Sequence, residues 1–65
     1  MLMSDNNIKF LIVEDDYDCA ARLERSLLKL GHKISGKASN MGQALVEFNN
    51  NRPDLIIMDL SLIHI

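Results

Sequence analysis

The sequence predicts an α/β fold in which strands and helices alternate, in the order strand, helix, strand, helix, strand. Two short apolar runs, one over residues 8–13 and one within residues 54–59, are rich in β-branched residues and indicate buried strands. Two stretches between them have apolar residues at three- and four-residue steps, which is typical of amphipathic helices. We therefore expect a doubly wound parallel sheet with the strand order 2-1-3.

The first strand and the first helix have the clearest signals. The strand is predicted over residues 8–13, where five of the six residues are apolar. The helix is predicted from Tyr17 to Leu30, because acidic residues near its start and Lys29 near its end suit the helix dipole. Gly31 follows directly and is a natural residue for ending a helix. The apolar stripe of this helix comprises Ala20, Leu23, Leu27 and Leu30.

The second strand, over residues 33–38, has weak β character, and its glycine and lysines favour an edge position. Asn40 then offers an N-cap, with Gln43 three residues later as in a capping box. The second helix extends to about Asn50, and Pro53 prevents its continuation. The third strand is predicted over residues 54–59. The apolar stripe of the second helix comprises Met41, Ala44, Leu45 and Phe48.

Length and composition restrict the class of protein. A chain of 65 residues forms at most one small domain, which buries only about 60% of its unfolded surface. The seven basic residues are scattered, so we expect no nucleic-acid binding by this segment. The single cysteine excludes an internal disulfide and fits a reducing compartment. Without a signal peptide or a long apolar run, a cytoplasmic location without membrane contact is expected.

Acidic residues follow two of the predicted strands. Glu14, Asp15 and Asp16 come directly after the first strand, and Asp59 ends the third. If these strands are parallel neighbours, their carboxyl ends share one edge of the sheet, so the acids meet there at a topological switch point. Carboxylates this close repel one another unless a cation or water reaches them. Oxygen ligands of this kind suit Mg²⁺.

The ordered set of these features resembles the receiver domain of bacterial two-component response regulators, over about residues 8–62. The resemblance implies a flavodoxin-like fold truncated to β1-α1-β2-α2-β3. It also implies a phosphoacceptor rather than an enzyme, which takes a phosphoryl group from a sensor histidine kinase or a phosphotransfer protein. The matching segments are Leu11-Ile12-Val13-Glu14-Asp15-Asp16, Leu27-Leu28 with Gly31, Gln43-Ala44-Leu45, and Pro53-Asp54-Leu55-Ile56-Ile57-Met58-Asp59-Leu60.

The resemblance also assigns roles to individual residues. The phosphoacceptor would be Asp59, acting with bound Mg²⁺. The family's acidic pair on the first strand maps onto Glu14 and Asp15, with Asp16 as a supporting charge. A backbone carbonyl two residues past the acceptor, here that of Ser61, would complete the metal site.

The chain departs from the family pattern after Leu62. The family continues with a proline and two further strands and helices, whereas this sequence reads Ile63-His64-Ile65. We therefore divide the chain into a flexible lead-in (1–7), a partial receiver domain (8–62) and a departing tail (63–65). The family's phosphoryl-sensing Ser/Thr and its lysine have no counterpart here, which implies a weakly competent or non-competent fragment. The exposed edge of the third strand favours self-association.

A second hypothesis is a fragment of a phosphohydrolase of the haloacid-dehalogenase type. Asp16 and Asp18 superficially match the Asp-x-Asp nucleophile motif of that family, although the residues that follow depart from it and the pair comes one position late. The two hypotheses differ in which aspartate becomes phosphorylated, Asp59 or Asp16. A nucleotide-binding βαβ unit is disfavoured, because acids replace the glycine-rich turn after the first strand.

Overall fold

The computed structural model describes residues 7–59, which fold into three parallel strands and two helices. The sheet has the strand order β2-β1-β3, so the predicted order 2-1-3 is confirmed. This is the β1-α1-β2-α2-β3 part of a flavodoxin-like doubly wound fold, as the sequence predicts. The elements are β1 (Lys9–Glu14), α1 (Tyr17–Lys29), β2 (Lys33–Ala38), α2 (Met41–Asn51) and β3 (Leu55–Asp59).

The central strand β1 carries most of the core, because it has a neighbouring strand on each side and a helix over each face. Five of its six residues are buried, and Leu11, Ile12 and Val13 are fully enclosed. Leu11 and Val13 face α2 and form an apolar cluster. The other residues of this cluster are Ala38, Ala44 and Phe48.

Helix α1 is capped at both ends, and the glycine at its C-terminal end is the one that the sequence predicts. Asp16 is the N-cap, and its Oδ1 accepts hydrogen bonds from the backbone N–H groups of Asp18 (2.9 Å) and Cys19 (3.2 Å). At the other end, Gly31 has a φ of +91°, a left-handed conformation that glycine adopts without a Cβ penalty. The N–H of Gly31 donates to the carbonyl of Leu28, and that of His32 donates to the carbonyl of Leu27, which is a Schellman motif.

The Asp16 cap provides a first testable prediction. Asp16→Ala removes the acceptor for two N–H groups and is expected to lower the free energy of unfolding by about 1 kcal/mol. Asp16→Asn is the matched control, because asparagine caps a helix as well as aspartate does, so its stability should stay close to that of the parent chain. Urea unfolding followed by circular dichroism measures both. An equal loss in the two variants would contradict a capping role.

The N-terminus of α2 departs in one detail from the predicted capping box. The side chain of Asn40 accepts the N–H of Gln43 at 2.9 Å, as expected. The Gln43 side chain, however, does not return to Asn40. Its Oε1 accepts from the N–H and the hydroxyl of Ser39, at 2.9 and 3.0 Å. The reciprocal hydrogen bond is thus displaced by one residue toward the N-terminus, where Ser39 offers two donors.

Strand bounds differ from the predicted ones by one residue. β1 extends through Glu14, and β3 begins at Leu55 rather than at residue 54. Among residues 7–59, β3 pairs only with β1, and most of its side chains are exposed. The predicted tail over residues 63–65, the carbonyl of Ser61 and nearly all of the lead-in lie outside the described residues.

Candidate functional site at the carboxyl ends of β1 and β3

The parallel register brings two of the predicted acids together. Glu14, the last residue of β1, lies directly opposite Asp59, the last residue of β3. Neighbouring strands are about 4.8 Å apart, and paired residues point to the same face of a sheet. The two carboxylates therefore extend from adjacent positions on one edge, on the face that α1 covers.

Glu14 is almost completely buried, with 5% of its surface exposed. Its Oε2 accepts a hydrogen bond from the backbone N–H of Asp16 at 2.9 Å. Its Oε1 is buried as well but has no hydrogen-bond partner. Because a buried carboxylate oxygen without a partner is costly, this atom is suited to receive a proton or a cation.

The pKa of Glu14 is raised above its ordinary value of 4.5 by its surroundings. The hydrogen bond from the Asp16 N–H favours the ionised form and alone would lower the pKa. Desolvation opposes this, and so do the neighbouring carboxyl groups of Asp15 and Asp59. The combined effect of burial and of these two carboxyl groups is larger, so the net shift of the pKa is upward.

Asp15 and Glu14 line a cavity of about 230 Å³ between the carboxyl ends of β1 and β2 and the start of α2. The remaining polar residues of this cavity are not among those that the sequence assigns to the site. They could have been identified, since the end of β2 shares the same edge of the parallel sheet as the end of β1. These residues are Tyr17, Lys37, Ser39 and Gln43.

Lys37 is held at this cavity by an ion pair with α1. Its Nζ lies 2.7 Å from Oε1 of Glu24, and both side chains are partly exposed. The hydrogen bond and the negative charge of Glu24 raise the pKa of Lys37. The ammonium group is therefore paired with Glu24, and this ion pair links β2 to α1.

Asp59 is exposed and lines a second cavity, of about 370 Å³, between β3 and α1. The other residues of that cavity include Cys19 and Arg22, whose side chains form a weak contact of 3.8 Å between Nη2 and Sγ. Within residues 7–59, no three His, Cys, Asp or Glu side chains form a group placed to hold a metal ion. The strand register places Glu14 opposite Asp59, but the carboxylates of the described residues do not form a complete cation site.

The carboxylate side chains at this edge are nevertheless of a type that binds Mg²⁺. Glu14 has a buried oxygen without a partner, its pKa is raised by two neighbouring carboxylates, and one of these, Asp59, is accessible. Mg²⁺ binds through one or two carboxylates, keeps several waters and tolerates few other protein ligands.

Asp16 and Asp18, the residues of the hydrolase hypothesis, have a different setting. Oδ1 of Asp16 is engaged by two N–H groups at the start of α1, and Asp18 lies in the exposed first turn of that helix. Capping and a favourable interaction with the helix dipole account for both residue types. Neither side chain lies at a strand end opposite another acid.

Comparisons with known proteins indicate a regulatory relative. The chain is similar to the transcriptional regulatory protein PrrA of Mycobacterium bovis and of Mycobacterium tuberculosis, with 37% identity over 54 residues in each case. The matched residues are 83% of this chain but only 23% of each relative. No protein-family model and no solved structure matches the chain. Neither of the helices within residues 7–59 has the length and apolar character needed to cross a bilayer.

Proposed function

We propose that the chain is the β1–β3 part of a response-regulator receiver domain, a phosphoacceptor module in which Asp59 takes a phosphoryl group from a phosphohistidine. Its similarity to two transcriptional regulatory proteins supports this proposal. The donor would be a sensor histidine kinase or a phosphotransfer protein, in the cytoplasm. The observation that carries this proposal is the pairing of Glu14 with Asp59 at the carboxyl ends of adjacent parallel strands.

The carboxylates of Glu14, Asp15 and Asp59 would hold Mg²⁺, with the Ser61 backbone carbonyl as a further ligand. When bound, the cation would offset the negative charge of these groups and of the transferring phosphoryl group. The unpartnered Oε1 of Glu14 supports this assignment, since it provides a buried oxygen that no protein donor satisfies. Asp15, at the mouth of the cavity, is exposed and can reach solvent.

Asp59 would act as the nucleophile. One of its carboxylate oxygens attacks phosphorus, the P–N bond to the donor imidazole breaks, and the leaving nitrogen keeps the electron pair of that bond. A carboxylate needs no general base for this step, so the contribution of the chain is to position charges rather than to move a proton. The exposure of Asp59 supports the proposal, because the donor is a side chain of another protein.

The chain spans 23% of the length of its relatives. Whether this part alone can be phosphorylated is therefore a separate question from its similarity to them. We propose weak phosphorylation, since no lysine of the described residues lines the cavity that contains Asp59. The lysine at the neighbouring cavity, Lys37, is paired with Glu24 instead. Charge neutralisation at the acceptor would therefore come from the cation and from Arg22, which lines the same cavity as Asp59.

Phosphorylation by acetyl phosphate tests the proposal directly. In the presence of Mg²⁺, mass spectrometry is expected to find a phosphoryl adduct on Asp59, and Asp59→Asn is expected to reduce labelling to background. Removal of Mg²⁺ with a chelator should do the same in the unmodified chain. Asp18→Asn is the matched control, because it removes an exposed acid from α1 and should leave labelling unchanged.

The same experiment separates the two hypotheses. An adduct on Asp16 that survives Asp59→Asn would favour the hydrolase and contradict the receiver assignment. Absence of any adduct on Asp59, in this chain and in a version extended by the remainder of a receiver domain, would remove the phosphoacceptor proposal. No feature of the described residues favours the hydrolase over the receiver.

A further inference from the structure

Lys37 lies between two groups of carboxylates. Its Nζ is 2.7 Å from Oε1 of Glu24 on α1. The same side chain also lines the cavity of about 230 Å³ that contains Glu14 and Asp15. Together with Glu24 it lines a further cavity, of about 310 Å³, between α1 and β2. One ammonium group therefore borders both the ion pair and the acidic cavity, and this arrangement does not depend on the third strand.

The sheet register places Lys37 within reach of Glu14. Lys37 pairs with Ile12 across the β1–β2 ladder, so these two side chains point to the same face of the sheet. Glu14, two residues further along β1, points to that face as well. The strand spacing and the rise per residue separate the Cα atoms of Lys37 and Glu14 by about 8 Å along a diagonal. Diagonal neighbours on one face of a sheet are within reach of long side chains such as lysine.

Two environments compete for this ammonium group. The acidic residues that line the two cavities are Glu14, Asp15 and Glu24. Beside Glu24 the ammonium group stays partly exposed to water, whereas contact with the buried Oε1 of Glu14 would remove much of its hydration. The pair with Glu24 is therefore the observed one. Without Glu24, the carboxylates of Glu14 and Asp15 are the remaining partners in these cavities for a charged and flexible side chain.

We propose that Glu24 is a positioning residue, which holds the ammonium group of Lys37 away from Glu14 and Asp15 and so keeps these carboxylates available to Mg²⁺. This inference deepens the proposed function and rests on its cation site. An ammonium group beside the two carboxylates occupies the same oxygens and repels a divalent cation. Lys37 is thus an internal competitor of Mg²⁺, and Glu24 acts on cation binding through Lys37 without being a ligand.

Isothermal titration calorimetry with MgCl₂ tests this role on the 65-residue chain. Glu24→Gln is expected to weaken Mg²⁺ binding about fivefold, which is within the range of coupling between neighbouring charged residues. The loss should disappear in the double variant Glu24→Gln/Lys37→Met, which has no competing ammonium group. Glu47→Gln is the matched control, because it removes the same charge from α2, where Glu47 accepts a hydrogen bond from Asn51. Its affinity should stay close to that of the unmodified chain.

The double variant separates positioning from simpler effects of Glu24. If Glu24 acted only through its own negative charge, or only by linking α1 to β2, the loss of affinity would persist without Lys37. A persistent loss, or an unchanged affinity in Glu24→Gln, would overturn the inference and leave the cation site in place. Absence of Mg²⁺ binding in the unmodified chain would instead remove the cation site of the proposed function, and this inference with it.

Carbodiimide crosslinking provides a second readout that needs no metal. The reagent joins an amine to a carboxylate that contacts it, and mass spectrometry after proteolysis identifies the pair. In the unmodified chain Lys37 is expected to link to Glu24, and in Glu24→Gln to Asp15 or Glu14, with circular dichroism to check that the variant keeps its fold. Equal linking to Asp15 or Glu14 in both chains, or no such link in the variant, would overturn the positioning role.

Discussion

Replacing Leu11 with alanine is expected to remove a large part of the stability of the chain at room temperature. Leu11 is fully buried on the central strand, in the cluster formed with Val13, Ala38 and Ala44 and packed by Phe48. Truncation of a buried leucine to alanine costs about 2–5 kcal/mol, because apolar contacts are lost and a cavity remains. A domain of this size has a total stability of only about 3–10 kcal/mol, so one such change is a large part of it.

Circular dichroism and urea unfolding, at one fixed protein concentration, measure this effect. Fixing the concentration is necessary because any self-association of the folded chain would itself stabilise the folded state. Leu30→Ala is the control, since Leu30 is 72% exposed at the C-cap of α1 and its truncation should change stability by less than about 0.5 kcal/mol. Equal effects at the two positions would mean that β1 is not the centre of the core.

The order of the strands could be predicted from the sequence because the two kinds of strand differ in composition. β1 consists almost entirely of apolar residues and, within residues 7–59, is the strand with a neighbour on each side, whereas the lysines of β2 are compatible with an edge. The start of α2 and the end of α1 were predicted as well, since Asn40 and Gly31 act through local backbone hydrogen bonds. Asp16 was predicted only as a charge that suits the dipole of α1, and it caps that helix. Information of this kind is contained in a few adjacent residues.

Features that depend on tertiary context could not be predicted in the same way. β3 has the apolar sequence of a strand buried on both faces, yet its side chains are largely exposed, because burial depends on which elements pack around it. Glu14 was expected where the chain leaves the sheet, and it is instead a buried residue of β1. The residue that completes the α2 cap, Ser39, depends on a side-chain rotamer that no sequence pattern specifies.

Replacing Glu14 with glutamine is expected to stabilise the chain at neutral pH while weakening its response to Mg²⁺. Because the pKa of Glu14 is raised in the folded state, the folded chain holds this proton more tightly than the unfolded chain does. The resulting stability is fully present below about pH 4.5 and is lost as the pH rises through the raised pKa. Glutamine has no carboxylate to ionise, so this loss should be absent from the variant.

The measurement is the free energy of unfolding between pH 4 and 8, with and without Mg²⁺. The unmodified chain should lose stability over this range relative to Glu14→Gln, and Mg²⁺ should restore it by binding the folded state. The variant should gain less from Mg²⁺, since a neutral amide is a weaker ligand than a carboxylate. Glu47→Gln, which removes a carboxylate from α2, controls for the change in net charge. If both variants had the same pH dependence and the same response to Mg²⁺, ionisation of Glu14 would not lower the stability, and Glu14 would not bind the cation. The acidic end of β1 would then be a structural feature only.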